Sequence, residues 1–173
     1  MYDLEKLILG VEMYVIKRQL GIAEAMAQEF SNACSQSVFK ESGYAILAVV
    51  SSYFEMIEQF SVGRPSAPGE SKAFFIQGFR KVYPSTILTN PQIGEVYGLV
   101  RCGMYHGGMT KFGVEISRYF PSGVTYVSGK IHISPAKVVE ELSQHFQAYI
   151  QTLRDPASVL QREHFQCHCG FDT

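Results

Sequence analysis

Two dipeptides, Asn90-Pro91 and Ser134-Pro135, each join a helix-capping side chain to a proline, and each opens a run whose apolar residues recur at helical spacing. Proline is harmless there, because the N–H it lacks would find no partner in the first helical turn. After Asn90-Pro91 the residues Ile93, Val96, Tyr97, Val100 and Met104 recur at steps of three and four, a stripe that has to face a core. After Ser134-Pro135 the stripe is Val138, Val139, Leu142, Phe146, Tyr149, Ile150 and Leu153, and Asp155-Pro156 closes it.

The same period runs through the upstream half. Leu4, Leu7, Ile8, Val11, Val15 and Ile16 mark a helix from Asp3 to Leu20, and Ser42 to Phe60 is a denser apolar segment expected at the centre. A shorter alanine- and glutamate-rich stretch from Ala23 to Cys34 also reads as helix. Ser61 to Gly69 then breaks the chain with two prolines and two glycines, and Glu70 to Tyr83 resumes it as a helix ended by Pro84. Between Gly107-Gly108 and Ser134 the pattern turns to period-two alternation around Pro121-Ser122-Gly123. The expectation is a mainly α bundle of about five helices, with a β-hairpin insertion over about 112–133, and a third short strand as an option, before the last long helix. One domain over 1–155 is expected, then a polar tail over 156–173.

Composition narrows the function. A chain of 173 residues with 46% hydrophobic content buries a proper core and is short for two domains. Its longest apolar run, Tyr44 to Val50, falls far below the ~20 residues that span a bilayer, so no membrane helix is expected. Asp3 and Glu5 stand where a secretory signal would be basic, so a cytoplasmic location is expected, with reduced thiols at Cys34, Cys102, Cys167 and Cys169. A net charge of −1 argues against tight, general nucleic-acid binding, but leaves room for a local positive cleft from Lys17-Arg18, Arg80-Lys81, Arg101 and Lys111. Walker, GxGxxG, GxSxG and HExxH motifs are all missing. His164, Cys167, His168 and Cys169 crowd within six positions, where structural zinc sites use separated ligand pairs, so no metal or other cofactor is expected. His132 alternates with Ile131 and Ile133 and reads as a surface residue, and His145 reads as structural.

Chemistry concentrates in Val100-Arg101-Cys102-Gly103-Met104-Tyr105-His106-Gly107-Gly108. A guanidinium presents a planar fork of donors to phosphate oxygens, and imidazole moves protons near neutrality. The spacing by itself is weak, since seven arginines and five histidines give an Arg followed by a His at such a distance about 0.6 times by chance. A second match, Arg162 to His168, lies in the polar tail, so context has to separate the two. The first match lies at the end of a helix begun at Asn90 and stopped by Gly107-Gly108. On a straight helix its two side chains would stand about 7.5 Å apart along the axis and about 140° around it, too far to converge on one atom, which a second copy across a two-fold axis could achieve. The bland alternative is an imidazole capping carbonyls and an arginine paired to a glutamate.

YGLVRCGMYHGG resembles the signature of the HEPN (higher eukaryotes and prokaryotes nucleotide-binding) superfamily, an arginine followed four to six residues later by a histidine. SSYFEMIEQFSVGRPSAPGESKAFFIQGFRKVYP is similar to the preceding helices of a small bacterial branch of it, and the resemblance covers about residues 42–154. It departs from the common pattern at Cys102, where a polar residue such as Asn, Asp or His is usual.

The resemblance implies a HEPN-like helical bundle that acts as a homodimer on RNA as a metal-independent endoribonuclease of toxin or phage-defence type. An antitoxin or a nucleotidyltransferase is the partner it implies. Arg101 would stabilise charge on the phosphate, His106 would act as general acid or base, and Glu55 on an earlier helix would orient them. Cys102, Tyr105 and Glu58 would support the pair, Glu55 and Glu58 lying three residues apart on one helical face. The alternative is a non-catalytic HEPN module binding a nucleotide, RNA or protein.

Overall fold

Asp3 begins α1 (Leu4–Tyr14) by accepting the Glu5 N–H at 3.1 Å, which satisfies one of the donors a helix start leaves open. A computed structural model describes residues 3–169 of the chain. The axis continues without a break through a π-helical turn (Val15–Leu20) into α2 (Gly21–Ser31). The two helices read separately from the sequence are thus one rod. Gly21 makes the junction possible, since a Cβ there would sit 2.5 Å from the Ile16 carbonyl oxygen.

A 3₁₀ turn (Val38–Glu41) leads into α3 (Gly43–Val50) and α4 (Tyr53–Val62), which the sequence reads as one helix and which a turn at Ser51-Ser52 divides. By length and composition Gly43–Val62 reaches the threshold for crossing a membrane, where the sequence reading expects no such segment; 50% of its window is buried inside the protein. It carries Glu55 and Glu58, both buried. Helix α5 (Ser71–Val82) packs along α4 through aromatic rings, Phe54 meeting Phe75 at 5.0 Å and Phe79 at 5.1 Å between centroids. Each such side chain removed from water contributes roughly 1.5–3 kcal/mol.

The motif segment is α6 (Asn90–Val96), a π turn (Tyr97–Arg101) and α7 (Cys102–Gly107). Its start differs by one residue from the sequence reading. Thr89, not Asn90, is the N-cap and forms a reciprocal capping box with Gln92, while the Asn90 side chain accepts from Arg80 Nε at 2.8 Å. Pro91 occupies the first turn as expected, and Gly108 ends α7 in the left-handed conformation.

The strands are β1 (Val114–Ile116), β2 (Val124–Val127) and β3 (Lys130–Ile133), in the order β1-β3-β2. The hairpin is β2–β3, not a pairing across Pro121-Ser122-Gly123, and β1 joins β3 in parallel. Ser128 (φ 51°) and Gly129 (φ 80°) make the two-residue left-handed turn whose twist matches the strands, so the Ser-Gly pair outcompeted the Pro-Ser-Gly punctuation. His132 points away from the core as expected, yet it is not free. Its ring stacks on Phe120 at 4.6 Å and its Nε2 lies 3.3 Å from Glu115 Oε2.

Helix α8 (Pro135–Arg154) crosses α2 and α3 and buries the stripe read from the sequence, Tyr149 only in part. The expected tail is a correction. Residues Val159–Cys169 form α9, docked against α4, with Phe165 fully buried and 5.4 Å from Phe60. Only one apolar side chain of α9 is fully buried, too few to give the segment a readable period, and aromatic and histidine contacts hold the rest.

Candidate active site

The π turn at Tyr97–Arg101 sets where the motif aims. The Cys102 N–H bonds to the Tyr97 carbonyl five residues back, a wider turn than the straight helix assumed from spacing. Past Gly108 the chain folds back onto the motif, and Lys111 N–H donates to the Leu99 carbonyl at 2.9 Å. Gly103 allows that approach, because a Cβ there would lie 2.7 Å from the Met109 carbonyl oxygen.

Arg101 is half-buried. Its Nη2 donates to Glu55 Oε2 at 3.3 Å, and its guanidinium carbon lies 5.6 Å from the Tyr97 ring centre and 5.2 Å from that of Tyr105. Such cation–ring contacts contribute roughly 0.5–2 kcal/mol and leave the edge of the fork free. Glu55 is buried on α4, and its other oxygen accepts from Ser66 Oγ at 2.8 Å. Ser66 in turn accepts from Gln59 Nε2 at 3.2 Å. The Pro/Gly-rich break between α4 and α5 therefore supplies a residue that fixes the carboxylate. It is itself braced by Arg64, which makes a two-pronged contact with Glu70 at 2.6 and 3.1 Å. Of the five N–H donors on Arg101, one is used by Glu55.

The other expected positions divide. Tyr105 bridges the motif, with one ring contact to Arg101 and an edge-on contact to His106 at 5.1 Å. Cys102 lies against Tyr97, whose phenol is pushed up from its ordinary range, first by burial and then by the Cys102 thiol, with Arg101 acting in the opposite direction. Glu58 does not join Glu55. Its Oε2 lies 3.2 Å from Lys81 Nζ on α5, outside hydrogen-bonding geometry, and three residues on α4 suffice to turn it toward α5. The expectation that the two glutamates serve one site is corrected for Glu58.

His106 is exposed in the last turn of α7, and among the described residues no hydrogen bond ties its ring. Nor does any direct bond join it to Arg101 within one protomer. Within six residues of it in the sequence, Tyr105 (76% exposed), Met109 (61%) and Phe112 (100%) leave apolar side chains in solvent. In the rival pair, His168 packs edge-on to Phe60 at 5.2 Å on α9. The histidines and cysteines of that helix are dispersed too. His164 Nδ1 meets the Ser61 carbonyl at 2.5 Å, Cys167 is exposed, and burial pushes the Cys169 thiol up to about 12. Among the described residues no group of three or more His, Cys, Asp or Glu is placed to hold a metal ion.

Arg101 and Glu55 line an open groove of about 460 Å³ between the α1–α2 rod and α4. Of the basic groups expected to cluster, Arg18 joins them there, whereas Arg80 is bound to Asn90 and the Leu88 carbonyl and Lys81 to Glu58. Ser66, Tyr97 and Arg18 are the contributors that motif reading did not single out. The Lys17-Arg18 doublet was the signal for one of them, and nothing in the local sequence marks the other two.

No family model, no curated protein and no solved structure matches the chain. The functional reading therefore rests on the resemblance of the motif segment and on the geometry of its residues.

Proposed function

We propose that this chain is a HEPN-like, metal-independent endoribonuclease, active as a homodimer that pools two Arg101/His106 pairs on one RNA phosphodiester. One observation carries the reading. Arg101 is oriented by a buried carboxylate through a single N–H, keeps its other donors at an open groove, and connects through the Tyr105 ring to an exposed, unbonded His106. That is a pre-oriented anion site next to a proton-transfer group. Tyr105, Met109 and Phe112 supply the apolar collar that a second copy would cover.

In the reaction an imidazole takes the proton from a ribose 2′-hydroxyl, and the 2′-oxygen bonds to phosphorus as the bond to the 5′-oxygen breaks. The leaving oxygen receives a proton from the second imidazole, which gives a 2′,3′-cyclic phosphate and a 5′-hydroxyl end. Arg101 stabilises the charge that builds on the phosphoryl oxygens. DNA lacks the nucleophile and is not cut. Incubation of the protein with single-stranded RNA in excess chelator tests this, cleavage by the wild type and none by His106→Ala being the expected pair of results.

A second reading, binding without cleavage, is favoured by Cys102 in the motif and by the ion pair that partly neutralises Arg101. It predicts RNA binding that His106→Ala leaves unchanged and no cleavage by either protein.

A further inference from the structure

Among the described residues the chain has two π-helical turns, Val15–Leu20 and Tyr97–Arg101, and each carries an arginine that lines the same groove. Such turns hold well under ~1% of residues in soluble proteins and concentrate at functional sites, where they re-aim side chains at a cost in helix stability. Here the two converge on one groove. The first turn depends on Gly21, and it directs Arg18 outward, exposed and, among the described residues, without a carboxylate partner. The groove then holds two guanidinium groups against one carboxylate, in a chain whose net charge is −1.

Tyr14, the residue just before that turn, is 61% exposed on the same wall. Its exposed phenol ring lines the groove together with Arg18, a stacking surface on the same wall as a cation. Gln19, from the same turn, is by contrast pinned by its amide to the Val49 carbonyl at 3.0 Å and to Ser52 Oγ at 3.1 Å, which fixes the turn against α3 and α4. The wall is thus rigid in its backbone and open in its functional groups. A space of about 460 Å³ falls within the ~300–1,000 Å³ typical of ligand sites.

We infer that Arg18 and Tyr14 form a binding subsite for single-stranded RNA beside the reactive phosphate: Arg18 holds the neighbouring phosphate and Tyr14 stacks a flanking base. This rests on the proposed reading of Arg101 as the site of the reacting phosphate, and it adds the substrate's strandedness and a path across the α1–α2 rod. A duplex would not serve, because its bases are already stacked and cannot reach the tyrosine. Phosphate plus stacking is a combination that tolerates many sequences.

The test is binding of a labelled 2′-O-methyl decamer, which lacks the nucleophile, to the full chain by fluorescence anisotropy across a salt series. Arg18→Gln is expected to weaken binding about tenfold and to reduce the salt slope by about 0.7, the value for one lost contact to single-stranded phosphate. Tyr14→Ala is expected to weaken it about five- to a hundredfold and Tyr14→Phe hardly at all, as stacking requires. Arg18 and Tyr14 are exposed, so unchanged melting temperatures certify the fold of each variant. Wild-type affinity and salt slope in both Arg18→Gln and Tyr14→Ala would overturn the subsite, as would equal affinity for the matching duplex or saturable binding of AMP with none of the decamer. These outcomes are separate from cleavage: binding that follows the pattern in a protein that never cuts RNA sinks the proposed catalysis and leaves the subsite, whereas cleavage with an unchanged KM in Arg18→Gln does the reverse.

Discussion

His106 and His145 sit on helices of the same molecule under opposite conditions. His145 lies in the seam between α8 and α4, its Nδ1 2.8 Å from the Tyr53 hydroxyl and its ring edge-on to Tyr53 at 5.9 Å. Burial, with Lys81 adding to it, pulls that imidazole from 6.5 down to about 4. His106 ends a short helix in solvent, flanked by glycine and exposed apolar side chains. The seam uses polar groups to fix a unique packing, and the motif end keeps them available. Chemistry is therefore expected at the second place and stability at the first.

The sharpest way to break that contrast is at the motif end. His106→Ala should lower RNA cleavage by about 10²–10⁴-fold, the range of a lost general acid or base, with the melting temperature unmoved. A variant that cuts normally, or one that melts early, would erase the distinction. On the other side, Phe165→Ala should cost about 3–5 kcal/mol in denaturant unfolding, because its ring is fully buried against Phe60 and Tyr149. A loss near zero would return residues 159–169 to the status of a dispensable tail.

Glu55→Gln probes the boundary between the two regions, since the carboxylate is buried but serves the motif. It removes the charge facing Arg101 and should cost about 1–3 kcal/mol of stability, with a lower rate of cleavage as the guanidinium loses its orientation. Faster cleavage would show that the ion pair restrains Arg101 rather than orienting it.

Acid sharpens the comparison further. The unfolded chain protonates His145 near 6.5, while the folded one refuses that proton until about 4. Between those values the unfolded state holds more protons, so this group's contribution to stability is complete above about 6.5 and declines as the pH falls toward about 4. The melting temperature of wild type should therefore drop more steeply over that window than that of His145→Asn, and parallel curves would refute the buried, neutral imidazole. The smallest effect belongs to the hairpin, where Ser128→Gly relieves a left-handed backbone and should stabilise the protein by up to about 1 kcal/mol in thermal melts.

The long stripes were legible because every third or fourth residue of α1, α5 and α8 reports on the same buried face. Helix α9 was not, since Phe165 alone is deeply buried and its other anchors are polar contacts such as His164 to Ser61. The strand pairing was misread because two turn signals compete there, and the left-handed Ser128-Gly129 turn is the one that matches strand twist. Within the site, Arg101 and His106 carry residue types that speak for themselves, whereas Glu55 and Tyr105 were expected only through the resemblance. Arg18 was flagged by the Lys17-Arg18 doublet, though its place in the groove comes from the π turn, whereas Ser66 acquires its role only when the break between α4 and α5 folds over Glu55. That placement of Ser66 is tertiary, and a local pattern does not encode it.

The most direct measurement is the product end formed from a short single-stranded RNA in excess chelator by wild type, His106→Ala and Arg101→Ala. The account predicts a 2′,3′-cyclic phosphate from the wild type alone, abolished when a 2′-deoxynucleotide replaces the residue at the cut. Cleavage that survives in His106→Ala, or that proceeds past the 2′-deoxy position, would contradict it.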